Sequence, residues 1–417
     1  MIPLLAHYKE KWAVESEQSI KPGLTAIREA MMLLGHPEQG MAYVHIAGTN
    51  GKGSTLTFIE KIALNHNLSV GKFMSPCIVD FHDQIQIDET PITSAQVDAI
   101  FQVMKDAGLS GKLTDFELLT CIALIHFKNE NVNLVLLEAG MGGREDSTNI
   151  VLPIVSVIPT IALEHTNFLG TTIEAIASHK AGIIKAGRPV VLGALSKEAM
   201  RVMQEEAFAK QSPIYALNDY FSVVMEHEAE MYHLNKKGLK MGPLQRQLLG
   251  RHQKDNMAIA ITAFIEVAKA FRMKLNVGAI QKGVHETTVP GRFEEVLPNV
   301  YFDGAHNPAS AEALAHMLQE NYANMDIEIV MGMLADKDVE AVLALLQPLA
   351  KKMIFIDVPN ERAMPAQKLA ALSKHPNKAV VSDVVTFLQQ PMNGGTIRVV
   401  TGSLYLLAAI RANLKKM

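Results

Sequence analysis

The chain has 417 residues, 48% of them apolar and 20% charged, and a formal net charge of −4. That length predicts a large core spread over two or three domains, and the charge balance excludes a general affinity for nucleic acid or anionic membrane. The two cysteines, Cys77 and Cys121, lie in apolar surroundings, which excludes a disulfide framework or thiolate cluster and reads as buried structural thiols.

In chain order, Met1-Ile2-Pro3-Leu4-Leu5-Ala6 is too short for the apolar core of a signal peptide and leads into charged residues. The most apolar stretch, residues 150–163, carries Pro153 and Pro159 and is too short to span a bilayer. A soluble, cytoplasmic protein is expected. The first clear strand, residues 44–47, breaks into Gly48-Thr49-Asn50-Gly51-Lys52-Gly53-Ser54-Thr55. A buried strand, a glycine-rich turn, one lysine and a helix start form a cradle for a phosphate chain, because the turn aims N–H groups inward and the helix N-terminus is electropositive. ATP is the natural guest. The usual phosphate-loop pattern has glycine at position 46 and a hydroxyl directly after the lysine; Ile46 and Gly53 stand there instead. A ligand-free strand–helix turn is the bland alternative.

A helix over 117–127 precedes the apolar strand 134–137, with Glu138 at its carboxyl end, where open α/β sheets bind ligands. An acidic group beside a phosphate loop suits Mg²⁺, which prefers carboxylate and phosphate oxygens; a helix-capping role is the alternative. Asp146 reads as a turn or cap residue, and Thr114 as a helix cap. After the strand 154–158 comes Glu164-His165-Thr166, then a helix over 172–180 in which Lys180, taken alone, belongs to solvent. A strand over 189–192 follows. Residues 218–248 read as an antiparallel hairpin edging the first domain, with Lys236-Lys237-Gly238 near its turn. A helix over 257–271 leads to a boundary near 288–298, where Pro290-Gly291-Arg292 interrupts the pattern. Beyond it, strands at 300–303, 327–331, 353–357 and 396–401 alternate with helices that include 310–320 and 404–413. Alternating strands and helices predict parallel α/β sheets.

Taken together, the phosphate loop, Glu138-Ala139-Gly140-Met141-Gly142-Gly143-Arg144, Glu164-His165-Thr166, His179-Lys180-Ala181-Gly182-Ile183, His252-Gln253, Pro290-Gly291-Arg292, Asp303-Gly304-Ala305-His306-Asn307-Pro308 and Gly332-Met333-Leu334-Ala335-Asp336-Lys337-Asp338 resemble folylpolyglutamate synthase/dihydrofolate synthase, a branch of the Mur ligase superfamily. The resemblance runs through essentially the whole chain to Thr401-Gly402-Ser403-Leu404-Tyr405. It implies an α/β fold: a phosphate-loop ATPase domain with a mostly parallel sheet at 1–289, and a smaller Rossmann-like glutamate-ligase domain at 296–417.

Roles follow from the resemblance. Gly48, Thr49, Asn50, Gly51, Lys52, Gly53 and Ser54 would hold the ATP phosphates, and Asn256 would contact adenine. Ser75 and Glu138 would ligate one Mg²⁺, and Glu138 and His165 a second ion; Lys180 would be carbamylated. Arg292 would reach the γ-phosphate, Asp303 and His306 would close on the nucleotide, and Ser403 would lie near the incoming amino acid. The implied activity is ATP-dependent addition of L-glutamate to folate or dihydropteroate through an acyl phosphate, by a monomer.

The pattern departs at His82-Asp83-Gln84-Ile85, where the family usually reads Asn-Glu-Arg-Ile, at Asp80, and at Val289, where tryptophan is common. Gln84 cannot make the bidentate charged contact of an arginine. Two alternatives stay open on this sequence: a Mur-type amide ligase for another carboxylic acid, and a catalytically silent nucleotide-binding regulator.

Overall fold

The structure, a computed structural model, describes residues 2, 4–19, 21–77, 80–235 and 238–414. Two compact units make up the chain, Met1–Gln247 with Lys254–Thr287, and Leu248–Gln253 with Thr288–Met417.

The strands of the first unit are β1 (Tyr43–Ile46), β2 (Val70–Phe73), β3 (Ile85–Ile87), β4 (Thr90–Pro91), β5 (Leu134–Glu138), β6 (Val155–Ile158), β7 (Val190–Leu192) and β8 (Ile214–Ala216). They form one eight-stranded sheet in the order β4-β3-β2-β5-β1-β6-β7-β8. From β2 to β8 every pairing is parallel, and β3 and β4 add antiparallel edges. Every residue of β1 and β5 is buried, which is why these strands read as unbroken apolar runs: helices cover both faces. β2 is hidden in the sequence because Gly71 and Lys72 interrupt it. Gly71 is needed there, since a Cβ would lie 2.6 Å from the Phe127 ring. Lys72 is buried and ion-paired with Glu60 of the Lys52–Leu64 helix.

The helix expected at 117–127 spans Asp115–Asn129 and starts with a capping box: Glu117 N donates to Thr114 Oγ1 (3.3 Å) and Thr114 N to Glu117 Oε2 (2.8 Å). Segment 218–248 is more than a hairpin. β9 (Ser222–Glu226), β10 (Ala229–Leu234) and β11 (Leu239–Leu244) make a separate three-stranded antiparallel sheet that is not paired to the eight-stranded one. A third strand covers the second edge of β10 and completes the main-chain hydrogen bonding that a hairpin leaves open. Lys236 and Lys237 lie outside the described residues.

The second unit carries β12 (Glu294–Leu297), β13 (Val300–Phe302), β14 (Asp326–Met331), β15 (Lys352–Phe355), β16 (Lys378–Val380) and β17 (Thr396–Thr401). Their order is β12-β13-β17-β14-β15-β16, parallel except for β12. The last strand, β17, sits between β13 and β14. Two separate apolar clusters fill this unit. The first unit ends at Thr287, and residues 248–253 group with the second unit. There Arg251 pairs with Glu320 at 2.6 Å. The helix expected from 257 begins at Arg251, because its polar first turns hide the apolar period.

Candidate active site

In the first unit the candidate residues gather at the carboxyl ends of β1, β2, β5 and β6. The phosphate loop joins β1 to the Lys52–Leu64 helix, with Gly51 at φ 86° as the N-cap. Glycine is required at 51 for the left-handed backbone and because a Cβ would lie 2.4 Å from Asn256 Oδ1. Asn256 thus packs against the turn of the loop, and Thr55 Oγ1 donates to its Oδ1 at 3.4 Å. The loop is buttressed from the segment after β6. Thr49 N donates to Thr160 O (2.9 Å) and Asn50 N to Thr160 Oγ1 (3.0 Å), while Ala162 N donates to Thr49 Oγ1 (2.9 Å). Thr160 shapes the cradle, yet an isolated threonine after a strand carries no signal in sequence.

Lys52 Nζ donates to the carbonyls of Gly48 (2.9 Å) and Thr49 (3.2 Å) and stands 3.7 Å from Glu138 Oε1. Register explains that meeting. Ile46 pairs with Glu138 across β1 and β5, so the carboxylate lies just below the loop. Phe73 pairs with Leu137 across β2 and β5, which brings Ser75 to the same edge, just past the level of Glu138.

Lys180 is not a solvent residue. It is 1% exposed, and its Nζ donates to Glu164 Oε1 at 2.6 Å. The helix Ile173–Ala181 buries the face of Ile176, Ala177, Lys180 and Ala181, and lysine position in a period cannot reveal that. Burial, reinforced by Lys52, draws the Lys180 ammonium down to about 8, against the opposing pull of Glu164. Burial alone would raise the Glu164 carboxyl, but Lys180 and Lys52 hold it at about 2. His165, at φ 47°, is the N-cap of the short Thr166–Leu169 helix beside this pair. Lys52, Glu138, Glu164 and Lys180 are therefore one electrostatic cluster.

Glycines let the segment after β5 press on that cluster. A Cβ at Gly143 would lie 2.9 Å from His179 O, and Arg144 N donates to the same carbonyl at 2.7 Å. Asp146 is a cap, as expected: its side chain accepts from Thr148 N (3.0 Å) and Met141 N (2.9 Å). Asp80 is also committed locally, accepting from His82 N (2.9 Å) and from His82 Nδ1 (2.7 Å). His82 Nε2 meets Tyr8 Oη at 3.1 Å, and Gln84 is buried.

A Mg²⁺ ion fits the donor set, since a buried carboxylate and a serine hydroxyl beside a phosphate cradle supply hard oxygen ligands. Among the described residues no three His, Cys, Asp or Glu side chains converge, so phosphate oxygens and water would have to complete the coordination.

In the second unit, Arg292, Asp303, His306 and Ser403 lie around the ends of the adjacent strands β13 and β17. Asp303 is half-buried and accepts from Ala305 N (3.0 Å) and Phe293 N (3.1 Å). Burial raises its carboxyl above the usual range, and Arg292 opposes that. His306 Nδ1 donates to Gly304 O at 2.8 Å. Gly402 N donates to Ala305 O at 2.9 Å and so ties the Ser403 turn to the Asp303–His306 turn.

A phosphate loop with a buried carboxylate at the next strand's end, carried in one chain with an open α/β unit, defines an ATP-dependent ligase of the Mur type. Residues 46–264 match the Mur ligase middle domain and residues 291–404 the Mur ligase glutamate ligase domain. The chain is 35% identical over 412 residues to dihydrofolate synthase/folylpolyglutamate synthase of Bacillus subtilis (strain 168), covering 95% of this chain and 96% of that one. Its fold matches Escherichia coli FolC in complex with DHPP and ADP at TM-score 0.89 and 27% identity, covering 99% and 98% of the two chains. An FPGS–AMPPCP–folate complex matches at TM-score 0.84 and 30% identity, covering 98% and 99%. The chain belongs to the folylpolyglutamate synthase/dihydrofolate synthase family of the Mur ligase superfamily.

Proposed function

We propose that the chain adds L-glutamate to the carboxylate of a folate or dihydropteroate at the expense of ATP, and that it acts as a monomer. The observation that carries this is Lys52 Nζ held between two loop carbonyls and Glu138, at the N-terminus of the Lys52–Leu64 helix. On nucleotide binding the ammonium leaves those carbonyls for the β/γ-phosphates, and Asn256 steadies the turn and the nucleotide above it.

Both reactants of the first step are anions. The acceptor carboxylate attacks the γ-phosphate, ADP leaves, and an acyl phosphate forms. Lys52 and Arg292 offset the charge that moves to the leaving oxygen. Ser75 and Glu138 would hold one Mg²⁺ and Glu138 and His165 a second, and these ions would supply further positive charge at the phosphates. Carbamylation of Lys180 would turn the buried cation beside Glu164 into an anion suited to that metal. Asp303 and His306 would engage the nucleotide from the second unit. The neutral α-amine of glutamate, held near Ser403, then attacks the acyl carbon and expels phosphate, leaving an amide.

The test is Mg²⁺-dependent ADP release with L-glutamate, comparing 7,8-dihydropteroate and a reduced folate. Release with the first alone assigns a dihydrofolate synthase, with the second alone a polyglutamate synthase, and with both a bifunctional enzyme. Silence with both acceptors in ATP-binding protein would overturn the folate reading.

A further inference from the structure

Ser75 stands on a loop that leaves the first sheet at Phe73 of β2 and rejoins it at Ile85 of β3. These two residues are paired across the antiparallel ladder, and one step further on Met74 N donates to Gln84 O (3.0 Å). The loop therefore starts as two facing arms, with Ser75 on the outgoing arm and the short Phe81–Gln84 turn on the returning one. Burial, with smaller contributions from Asp83 and Asp80, pushes the Cys77 thiol up to about 12, so both carboxylates of the returning arm lie close to the outgoing one.

The returning arm is tied to a distant part of the sequence. Asp80 caps the turn by accepting from His82 N (2.9 Å), and it also accepts from His82 Nδ1 (2.7 Å). The other ring nitrogen, Nε2, meets Tyr8 Oη at 3.1 Å. His82 stacks on Phe81 with ring centroids 4.4 Å apart, and Tyr8 packs edge-on against Phe81 and stacks with Phe101. Tyr8 is 5% exposed and belongs to the Leu5–Trp12 helix, which is itself anchored. Trp12 Nε1 donates to Asp98 Oδ1 (2.8 Å) on the Ser94–Asp106 helix, and Lys9 pairs with Asp115 (2.9 Å) at the start of the Asp115–Asn129 helix. The Asp80–His82–Tyr8 series thus joins the Ser75 loop to a fixed support. Asp80 and His82 both stand where the sequence departs from the family pattern, so this support is a feature of the present protein.

Resting on the ligase reading, we propose that His82 is a positioning residue for the metal site: held between Asp80 and Tyr8, it fixes the returning arm and so sets the Ser75 hydroxyl where it would ligate Mg²⁺ together with Glu138. Mg²⁺ takes oxygen ligands at about 2.0–2.1 Å in near-octahedral geometry, so a loop displaced by a fraction of an ångström loses the hydroxyl. Ring packing alone is less exacting. Stacked rings can slide, whereas an imidazole bonded at both nitrogens to anchored partners has one orientation.

The test measures AMPPCP binding by calorimetry, with and without Mg²⁺, in the full-length protein and in Tyr8→Phe, His82→Phe and Asp80→Asn. The readout is the gain in affinity that Mg²⁺ brings. Tyr8→Phe keeps the ring and removes only the hydroxyl; His82→Phe keeps the stack and removes both side-chain hydrogen bonds. Each is expected to bind AMPPCP alone as the parent does and to lose roughly 3–10-fold of the gain. Asp80→Asn retains a side-chain oxygen that accepts from both His82 donors, and it is expected to keep most of the gain. In a Ser75→Ala background, Tyr8→Phe is expected to add no further loss, because the serine is the route by which the series acts. An unchanged gain in Tyr8→Phe and His82→Phe, even with a lowered urea midpoint, overturns the proposal, as does an undiminished effect of Tyr8→Phe in the absence of Ser75. A parent protein that gains no AMPPCP affinity from Mg²⁺ would instead overturn the metal-site reading beneath it.

Discussion

Lys180 and Glu138 share one edge of the first sheet but make different demands on the chemistry. Glu138 is buried, and Lys52 Nζ stands 3.7 Å from its Oε1. Glu138→Ala is expected to lower Mg²⁺-dependent kcat at least about a hundredfold, with ADP affinity less affected. Full activity in that variant would remove Glu138 from the metal site. Lys180 is enclosed with Glu164 as its partner. If its carbamate is the working form, Lys180→Ala abolishes turnover, and small carboxylates added to the assay restore part of it. An inactive variant with no rescue would point to the ion pair itself. The residue types at both positions were legible from their motifs. The burial of Lys180 was not, because it depends on which helix face the neighbouring strands cover.

Among the elements, the helix Asp115–Asn129 was anticipated to the point of its cap. Thr114 and Glu117 form the reciprocal box that the local sequence promises. Thr114→Ala should cost about 1 kcal/mol of stability in the first unit, read as a lower urea midpoint with unchanged m-value. An unchanged midpoint would mean that packing alone holds the helix start. β2 and the third strand of the small sheet were missed for the opposite reason. Lys72 is polar but buried because Glu60 lies opposite it, and β11 gains its place only by pairing with β10. Neither partner is near in sequence, so no local period announces the strand.

At the scale of the first unit, stability is tied to pH through β1. Thr148 Oγ1 donates to Asp146 Oδ1 at 2.5 Å, so it accepts from His45 Nε2–H at 2.8 Å; His45 Nδ1 is buried with no partner. Burial, with a smaller push from Lys185, lowers the His45 imidazole from 6.5 to about 3. The unfolded chain therefore binds the proton more readily. The stability held by the neutral ring is complete above about pH 6.5 and is lost as pH falls toward 3, by about 2 kcal/mol at pH 5. Asp146, raised by burial, acts with the opposite sign, so the comparison must be between variants. In His45→Gln the fall in urea midpoint between pH 7 and pH 5 is expected to shrink; an identical fall would place the proton uptake elsewhere.

The sequence by itself determined the α/β alternation, the phosphate loop, the carboxylate at the end of β5 and the family. Each of these rests on a contiguous run of residues, where backbone conformation and chemistry are written locally. Only the tertiary structure decided that Thr160 buttresses the loop and that Lys180 is buried against Glu164. Those positions come from strand register and from loops folding across neighbouring strands. The contacting residues are far apart in the chain, and their side-chain types alone are equally at home in solvent.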